Sequence, residues 1–379
     1  MLANKEFRKI VFYLPNLSGG GVERAFLELA QLFLDEGVSV DLVIAQQKGE
    51  YIDEIPNNVR VIVLSATSKF SIVLKLYKYL ASENFDAFLS GGNVSNILSA
   101  CAAILARKNN RHYINQRSSV QAAWKLDKPR SHRLWISFSA ILFRQAVGVI
   151  CNSKFARDEV VETLGVYPEK CAVVYNPVDC DKLQELSLDP LADPWFDSDS
   201  IPVLISIGSL SKVKDMGLLI RAFNLVRKEI PCNLLILGEG PERISLENII
   251  LSLGLEGSVR LPGFWNNPFP ALSRSALFVS ASLTEGCPNV ILQALACEVP
   301  IVATNGHGGT SEILENGKWG NLVSCGDMEG LAASIIEVLN GEFVKNTRAR
   351  AEQFSSATTF QEFLYALHHL GAEQSRVVS

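Results

Sequence analysis

The chain has little that would tie it to a membrane span, a disulfide framework or a structural metal. No stretch approaches the roughly 18 consecutive apolar residues of a transmembrane helix. Its eight cysteines are scattered singly, with no pair at Cys-x-x-Cys spacing, and Cys101, Cys151 and Cys297 sit in apolar runs. That pattern argues against a zinc site and predicts buried thiols in a reducing cytoplasm. The opening MLANKEFRKI puts charges where a secretion signal needs an apolar core, so no signal peptide is expected. A net charge of −5 leaves no global footprint for nucleic acid. There is no internal repeat, and no Gly-x-Gly-x-x-Gly with an acidic residue about 20 positions on, which argues against an NAD oxidoreductase.

What is present suits two α/β domains. The chain has 379 residues, 48% hydrophobic and 20% charged, ample for two cores. Short β-rich apolar runs alternate with helical patterns, the mark of a parallel sheet covered by helices. Strands are predicted near Ile10–Pro15, Val38–Ala45, Val59–Leu64, Ala87–Ser90, His112–Asn115, Gly148–Asn152 and Ala172–Tyr175, with helices clearest at Glu23–Glu36 and Ser153–Leu164. After Asn176–Pro177 the sequence turns acidic and poorly periodic, and it reads as a linker up to Ser200. The pattern restarts with strands near Val203–Ile207, Asn233–Leu237, Val259–Leu261, Leu277–Ser280, Ile301–Thr304 and Leu322–Val323. The expected architecture is α/β, two doubly wound Rossmann-like domains facing a cleft. They cover residues 1–180 and 201–350, joined by 181–200, with a C-terminal helix over 351–379 able to pack back on the first domain. Such sheets bind ligands at the carboxyl ends of their strands.

Three segments carry chemistry. Gly19, Gly20 and Gly21 lie where the first strand turns into a helix, so backbone N–H groups could approach an anion at its positive end; a plain tight turn is the alternative. In IGSLSKVKDMGLLIRAF a strand and the Gly208 turn precede an amphipathic helix, with Lys214 near its start; Lys212 competes for the same role. In FVSASLTEGCPNVILQALA a strand ends at Ser280, a polar loop carries Glu285–Gly286, Pro288 opens a helix, and Asn289 and Gln293 share one face. Glu285 could accept hydrogen bonds from sugar hydroxyls or simply cap the helix electrostatically.

The last segment resembles the signature of glycosyltransferase family 4: a serine, two residues, Glu-Gly-x-Pro-Asn, aliphatics, then a second acidic position. The likeness runs in order through most of the chain. GGGVER resembles the Gly-Gly-x-Glu-Arg subgroup of polysaccharide, O-antigen and capsule enzymes, and ICNSKFARDEV, VVYNPVD, ILGEGPER, VRLPGFWNNP and NGHGGTSEILENGKWGNLV match further elements. The resemblance implies a GT-B fold and transfer of a hexose or N-acetylhexosamine from a nucleotide-diphosphate sugar, a UDP-sugar being favoured. It also implies retention of configuration, no obligatory metal and no separate cofactor. The acceptor would be a glycan or lipid-linked saccharide in cell-surface polysaccharide synthesis.

Carried over residue by residue, Gly20 and Gly21 would face the donor diphosphate, Lys214 would bind phosphate, and Glu285 would contact the transferred hexose. Gly286, Cys287 and Pro288 would present backbone and helix dipole to hexose and phosphate, and Asn289, on one face with Gln293, is a further donor-binding candidate. Phe264 and Trp265 would border the base. His307, with Gly308 and Gly309, occupies the loop before the helix carrying Glu312 and is a further donor-side candidate. Two positions depart from the family pattern: Ser209 stands where an arginine is usual, and Gln293 where the ribose-binding glutamate is expected. No catalytic histidine stands out in the first domain. His112 reads as structural, while Arg117 could face the cleft or pair on the surface. Asp179–Asp181 and Asp197–Asp199 mimic metal-binding pairs but read as solvated linker carboxylates. The rivals are a nucleotide-sugar epimerase, a sugar phosphorylase and a non-catalytic GT-B-like binding subunit.

One local feature departs from the acidic whole. Between Arg107 and Arg133 eight basic residues, among them Lys125, Lys128 and Arg130, face the single acid Asp127 and alternate with Trp124. The segment is either a solvated face or a peripheral contact with the anionic inner membrane surface.

Overall fold

The computed structural model describes residues 7–18, 21–117, 119–120, 132–197 and 201–378. Gly20, Trp124, Lys125, Asp127, Lys128 and Arg130 therefore lie outside the described residues. The chain divides into two compact units, Met1–Pro177 with Ala357–Ser379, and Val178–Ser356.

The first unit is built on seven parallel strands: β1 (Lys9–Leu14), β2 (Ser39–Ile44), β3 (Arg60–Val63), β4 (Ala87–Gly91), β5 (His112–Gln116), β6 (Gly148–Cys151) and β7 (Cys171–Val173). Their order across the sheet is β3-β2-β1-β4-β5-β6-β7. Helices cover both faces, so central strands are apolar on successive residues instead of alternating; Ile10, Val11, Phe12, Tyr13 and Leu14 are all fully buried. The helix Gly21–Asp35 puts Phe26, Ala30 and Phe33 on the sheet. The long helix Ser356–Val378 closes this unit, with Phe360 edge-on to Phe33 at 4.9 Å between ring centroids. Tyr113 donates its hydroxyl to the Leu367 carbonyl at 3.1 Å. The sequence allows this docking without fixing it, since the helix follows the whole second unit.

The second unit contains β8 (Val203–Ile207), β9 (Asn233–Leu237), β10 (Val259–Gly263), β11 (Leu277–Ser280), β13 (Ile301–Thr304) and β15 (Asn321–Val323), in the order β10-β9-β8-β11-β13-β15. A separate two-stranded ladder pairs β12 (Thr284–Glu285) with β14 (His307–Gly308). Both main sheets are parallel and Rossmann-like, as the alternating pattern predicts.

The stretch read as a linker is partly ordered. Cys180–Ser187 forms a helix of the second unit, capped by Asp179, whose carboxylate accepts from the Lys182 N–H at 3.0 Å. Only Cys180 and Leu183 of this helix are buried, so two turns carry too few apolar residues to show a period. Asp181 pairs with Arg348 at 2.6 Å. Asp179 and Asp181 thus have structural partners of their own.

Candidate functional site

The second unit's sheet reverses its order between β8 and β11. These neighbours pair as Leu277 with Leu204 and Phe278 with Ile205, yet β8 continues to β9 on one side and β11 to β13 on the other. The loops leaving their carboxyl ends diverge and open a crevice, where doubly wound sheets hold ligands. Both loops are those singled out by motif.

After β8 the chain turns at Gly208, forms a short 3₁₀ turn over Lys212–Lys214, and enters the helix Met216–Val226. Asp215, in the left-handed region at φ 43°, makes the junction and caps the helix by accepting from the Leu218 N–H at 3.3 Å. Aspartate tolerates that conformation better than a branched residue would. Lys214 is only partly exposed and its ammonium is ion-paired with the Glu285 carboxylate, whereas Lys212 is exposed. Ser209 is exposed and exchanges a hydrogen bond with Ser211 at 3.1 Å between their hydroxyls.

After β11 the loop bends back toward that turn. The Leu283 N–H donates to the Val213 carbonyl at 2.8 Å, joining the loop of Glu285 to the turn of Lys214. Ser282 donates its hydroxyl to Glu285 Oε1 at 2.8 Å. Thr304, at the end of β13, holds the Ser282 carbonyl at 2.7 Å. The β12–β14 ladder secures the other side, and Thr284 donates to the His307 carbonyl at 2.7 Å. Gly308 has φ 138°, and a Cβ there would lie 1.5 Å from the Glu285 carbonyl oxygen, so only glycine permits this approach. The Gly309 N–H reaches the carbonyls of Glu285 and Gly286 at 3.1 and 3.0 Å.

The helix Asn289–Ala296 then begins, with Pro288 at its cap and no side chain capping its first amides. Cys287 and Pro288 are buried, while Gly286, Asn289 and Gln293 are partly exposed. Phe264 and Trp265 follow β10; Phe264 is 54% exposed, and Trp265 is half-buried. His307 is exposed. The spacing of the motif contained Ser282, but nothing in it assigned the serine a role. Thr304 carried no signal, because its part depends on which strands are neighbours.

In the first unit, Gly21 opens the helix after β1, and Arg117 follows β5. Arg117 donates to the Asn176 side-chain carbonyl, and Asn152 donates to the Arg117 carbonyl at 3.2 Å. Burial pushes the Glu23 carboxyl up, opposed by a backbone hydrogen bond and by the positive charge of Arg117. Glu23, Asn152 and Asn176 were quoted in motifs without a role. They join Arg117 at the carboxyl edge of the sheet.

A buried polar chain supports that edge. The hydroxyl of Ser90 lies 2.9 Å from His112 Nε2 and donates to Asn96 Oδ1 at 2.9 Å. Asn96 donates to Gln116 at 3.2 Å, and Gln116 donates to Asn93 at 2.5 Å. His112 is stacked on Phe88, and complete burial lowers its pKa to about 3, keeping it neutral. Such a chain is tolerable inside a sheet only because its members satisfy one another.

Known proteins resemble this chain in sequence and in fold. A family model for glycosyl transferases group 1 matches residues 196–357, and one for Glycosyltransferase Family 4 matches residues 19–182. The chain is 26% identical, over 94% of its length and 98% of the relative's, to N-acetylgalactosamine-N,N'-diacetylbacillosaminyl-diphospho-undecaprenol 4-alpha-N-acetylgalactosaminyltransferase of Campylobacter jejuni. It is 28% identical, over 58% of its length and 61% of the relative's, to the lipopolysaccharide core biosynthesis glycosyltransferase LpsE of Rhizobium meliloti. Its fold is similar to that of Anabaena HepE, solved with UDP and glucose, at a TM-score of 0.79 and 20% identity over 95% of this chain and 99% of that one.

The protein is therefore a glycosyltransferase enzyme with two Rossmann-like domains of the GT-B type. Within that class its two parts resemble the group 1 and family 4 glycosyltransferases, whose two models together account for most of the chain.

Proposed function

We propose that the protein transfers a hexose or N-acetylhexosamine, with retention of configuration, from a nucleotide-diphosphate sugar to a glycan or lipid-linked saccharide in cell-surface polysaccharide synthesis. The observation that carries the reading is the ion pair of Lys214 and Glu285 at the β8–β11 switch point. A diphosphate entering this crevice competes with Glu285 for the ammonium. The carboxylate it displaces then becomes an acceptor for hydroxyls of the transferred sugar.

As the glycosidic bond breaks, negative charge grows on the leaving diphosphate. Lys214, the amides around Gly286 and the uncapped start of the helix Asn289–Ala296 stabilise that charge in place. The phosphate oxygen accepts the proton of the incoming acceptor hydroxyl on the same face, which retains configuration without a side-chain base. Gln293 and Asn289 serve the nucleoside, Phe264 and Trp265 its base, and His307 the donor side of the loop. In the first unit Gly20 and Gly21 serve the diphosphate, and Arg117 the reacting end.

A uridine donor is supported by the UDP bound in the Anabaena neighbour, and a lipid-linked acceptor by the undecaprenol named in the Campylobacter relative. Among the described residues no helix is long and apolar enough to cross a membrane. In this reading the protein reaches such an acceptor by peripheral contact with the anionic inner membrane, for which the basic segment Arg107–Arg133 is the support.

The test is to mix purified protein with a panel of nucleotide sugars and follow released nucleoside diphosphate. Release that depends on one donor and on a saccharide acceptor is the expected result. A melting shift with donor but no release from any of them would overturn the enzymatic reading in favour of a binding subunit. Interconversion of donor sugars without release would indicate an epimerase.

A further inference from the structure

The first unit carries an apolar surface that is exposed among the described residues. The helix Lys69–Ser82 packs beside Asn93–Leu105, and Asn93–Leu105 beside His132–Gln145. Between them runs a groove of about 250 Å³, lined by Phe70, Val94, Leu98, Trp135 and Phe138, with Lys69 at its rim. Phe70 is 78% exposed, Ile141 60% and Leu105 60%, and Phe138 and Val94 are also exposed. A contiguous apolar surface of this kind marks a binding face, not ordinary surface scatter.

Charge identifies what the face meets. The chain has 40 acidic residues, yet these three neighbouring helices contain no Asp or Glu. The unit's other described α-helices, Gly21–Asp35, Lys154–Leu164 and Ser356–Val378, all carry acids. Lys69 and Lys78 are exposed on the first of the three, and the Lys69 ammonium lies 5.3 Å from the centre of the Trp135 ring. Arg107 is exposed just beyond the second helix. Exposed aromatic and aliphatic side chains ringed by cations and stripped of acids complement an anionic lipid surface. A docking protein would supply acids, but it would not need so wide an acid-free apolar face.

Position along the helices adds a second argument. Phe70 and Val94 stand in the first turn of their helices and Trp135 at the start of its own. In a parallel α/β unit helices start at the carboxyl edge of the sheet, and Val94 directly follows Asn93 of the polar chain described above. The apolar groove thus opens at the edge that carries Arg117.

We propose that the outer face of these three helices docks on an anionic phospholipid bilayer, with Phe70, Phe138 and Ile141 entering the acyl boundary and Lys69, Lys78 and Arg107 among the headgroups. The proposal deepens the membrane reading given above, but its test does not depend on glycosyl transfer.

Full-length protein is sedimented with vesicles of phosphatidylcholine alone and of phosphatidylcholine with phosphatidylglycerol. Binding to the anionic vesicles only is expected. Phe70→Glu and Ile141→Glu replace exposed residues, so the fold should survive, as an unchanged melting temperature would verify. Together they should lower partitioning about tenfold or more, from the loss of apolar insertion. Lys69→Glu with Lys78→Glu should lower it about fivefold or more, with the remainder less sensitive to salt. Nucleoside diphosphate release with a short water-soluble acceptor should stay at the wild-type level in both double variants; failure of that assay in wild type bears on the proposed function, not on this surface. Equal binding of wild type and the Phe70→Glu/Ile141→Glu double variant overturns the proposal. So does a wild-type dimer that the same substitutions dissociate, since the face would then meet a second copy.

Discussion

Lys214 and Glu285 stand 71 residues apart in the chain and share an ion pair at the carboxyl ends of two adjacent strands. Neither is fixed by its neighbours in sequence alone. The Lys214 turn is tied to the Glu285 loop by the backbone bond from Leu283 to Val213, so both groups are held before any ligand arrives. Glu285→Ala should lower kcat about a hundredfold or more if its hydrogen bonds strengthen as the bond breaks. Lys214→Ala should raise the donor KM and lower kcat together. Because each removes the other's partner, the double variant should lose less than the product of the two single effects. Steady-state kinetics decide it: either single variant within twofold of wild type removes that residue from the site.

Gln293 is expected to limit donor affinity. A glutamate could accept from both ribose hydroxyls with charge-assisted bonds, whereas the amide offers one acceptor and one donor. Gln293→Glu should strengthen donor binding by roughly 1–2 kcal/mol. The ribose is remote from the breaking bond, so the gain should appear as a several-fold lower donor KM with little change in kcat. A collapse of kcat at unchanged donor affinity would sink this assignment.

Arg117 depends on Asn176 for its direction. If Arg117 meets ligand, Arg117→Ala should lower kcat/KM about tenfold or more, and Asn176→Ala should reproduce part of that loss through a misdirected guanidinium. The melting temperature should fall only modestly in Asn176→Ala, because Asn176 is buried but one part-buried hydrogen bond contributes about 1 kcal/mol. Unchanged kinetics in Arg117→Ala would show that the arginine only supports the sheet edge.

His112 predicts a pH dependence of stability. Its pKa falls from the ordinary 6.5 to about 3 in the folded protein because burial disfavours the imidazolium. Below the unfolded value the unfolded chain binds a proton that the folded one refuses, so stability declines as pH falls from near 6.5 toward 3. The loss amounts to about 1.4 kcal/mol per unit at its steepest. His112→Gln should flatten that part of a melting-temperature profile, though it lowers stability at neutral pH by disturbing Ser90. A profile equally steep in both proteins would show that other groups carry the acid sensitivity.

Local sequence determined much of this protein. Strands such as Ile10–Leu14 and Val203–Ile207 are legible because a strand covered on both faces must be apolar throughout. The Glu-Gly-Cys-Pro-Asn run is legible because proline, glycine and a carboxylate each impose a local geometry at a strand-to-helix turn. Tertiary structure alone decided the rest. It chose Lys214 over Lys212 as the partner of Glu285, since two lysines two residues apart differ only in which way the turn aims them. It gave Ser282 and Thr304 their part in holding Glu285, a matter of strand adjacency that no local pattern encodes. It returned the helix Ser356–Val378 to the first unit, where Phe360 meets Phe33 across more than three hundred residues of chain. It also placed three acid-free helices side by side: absence of charge is visible one helix at a time, but a continuous face exists only once the sheet has set the helices next to one another.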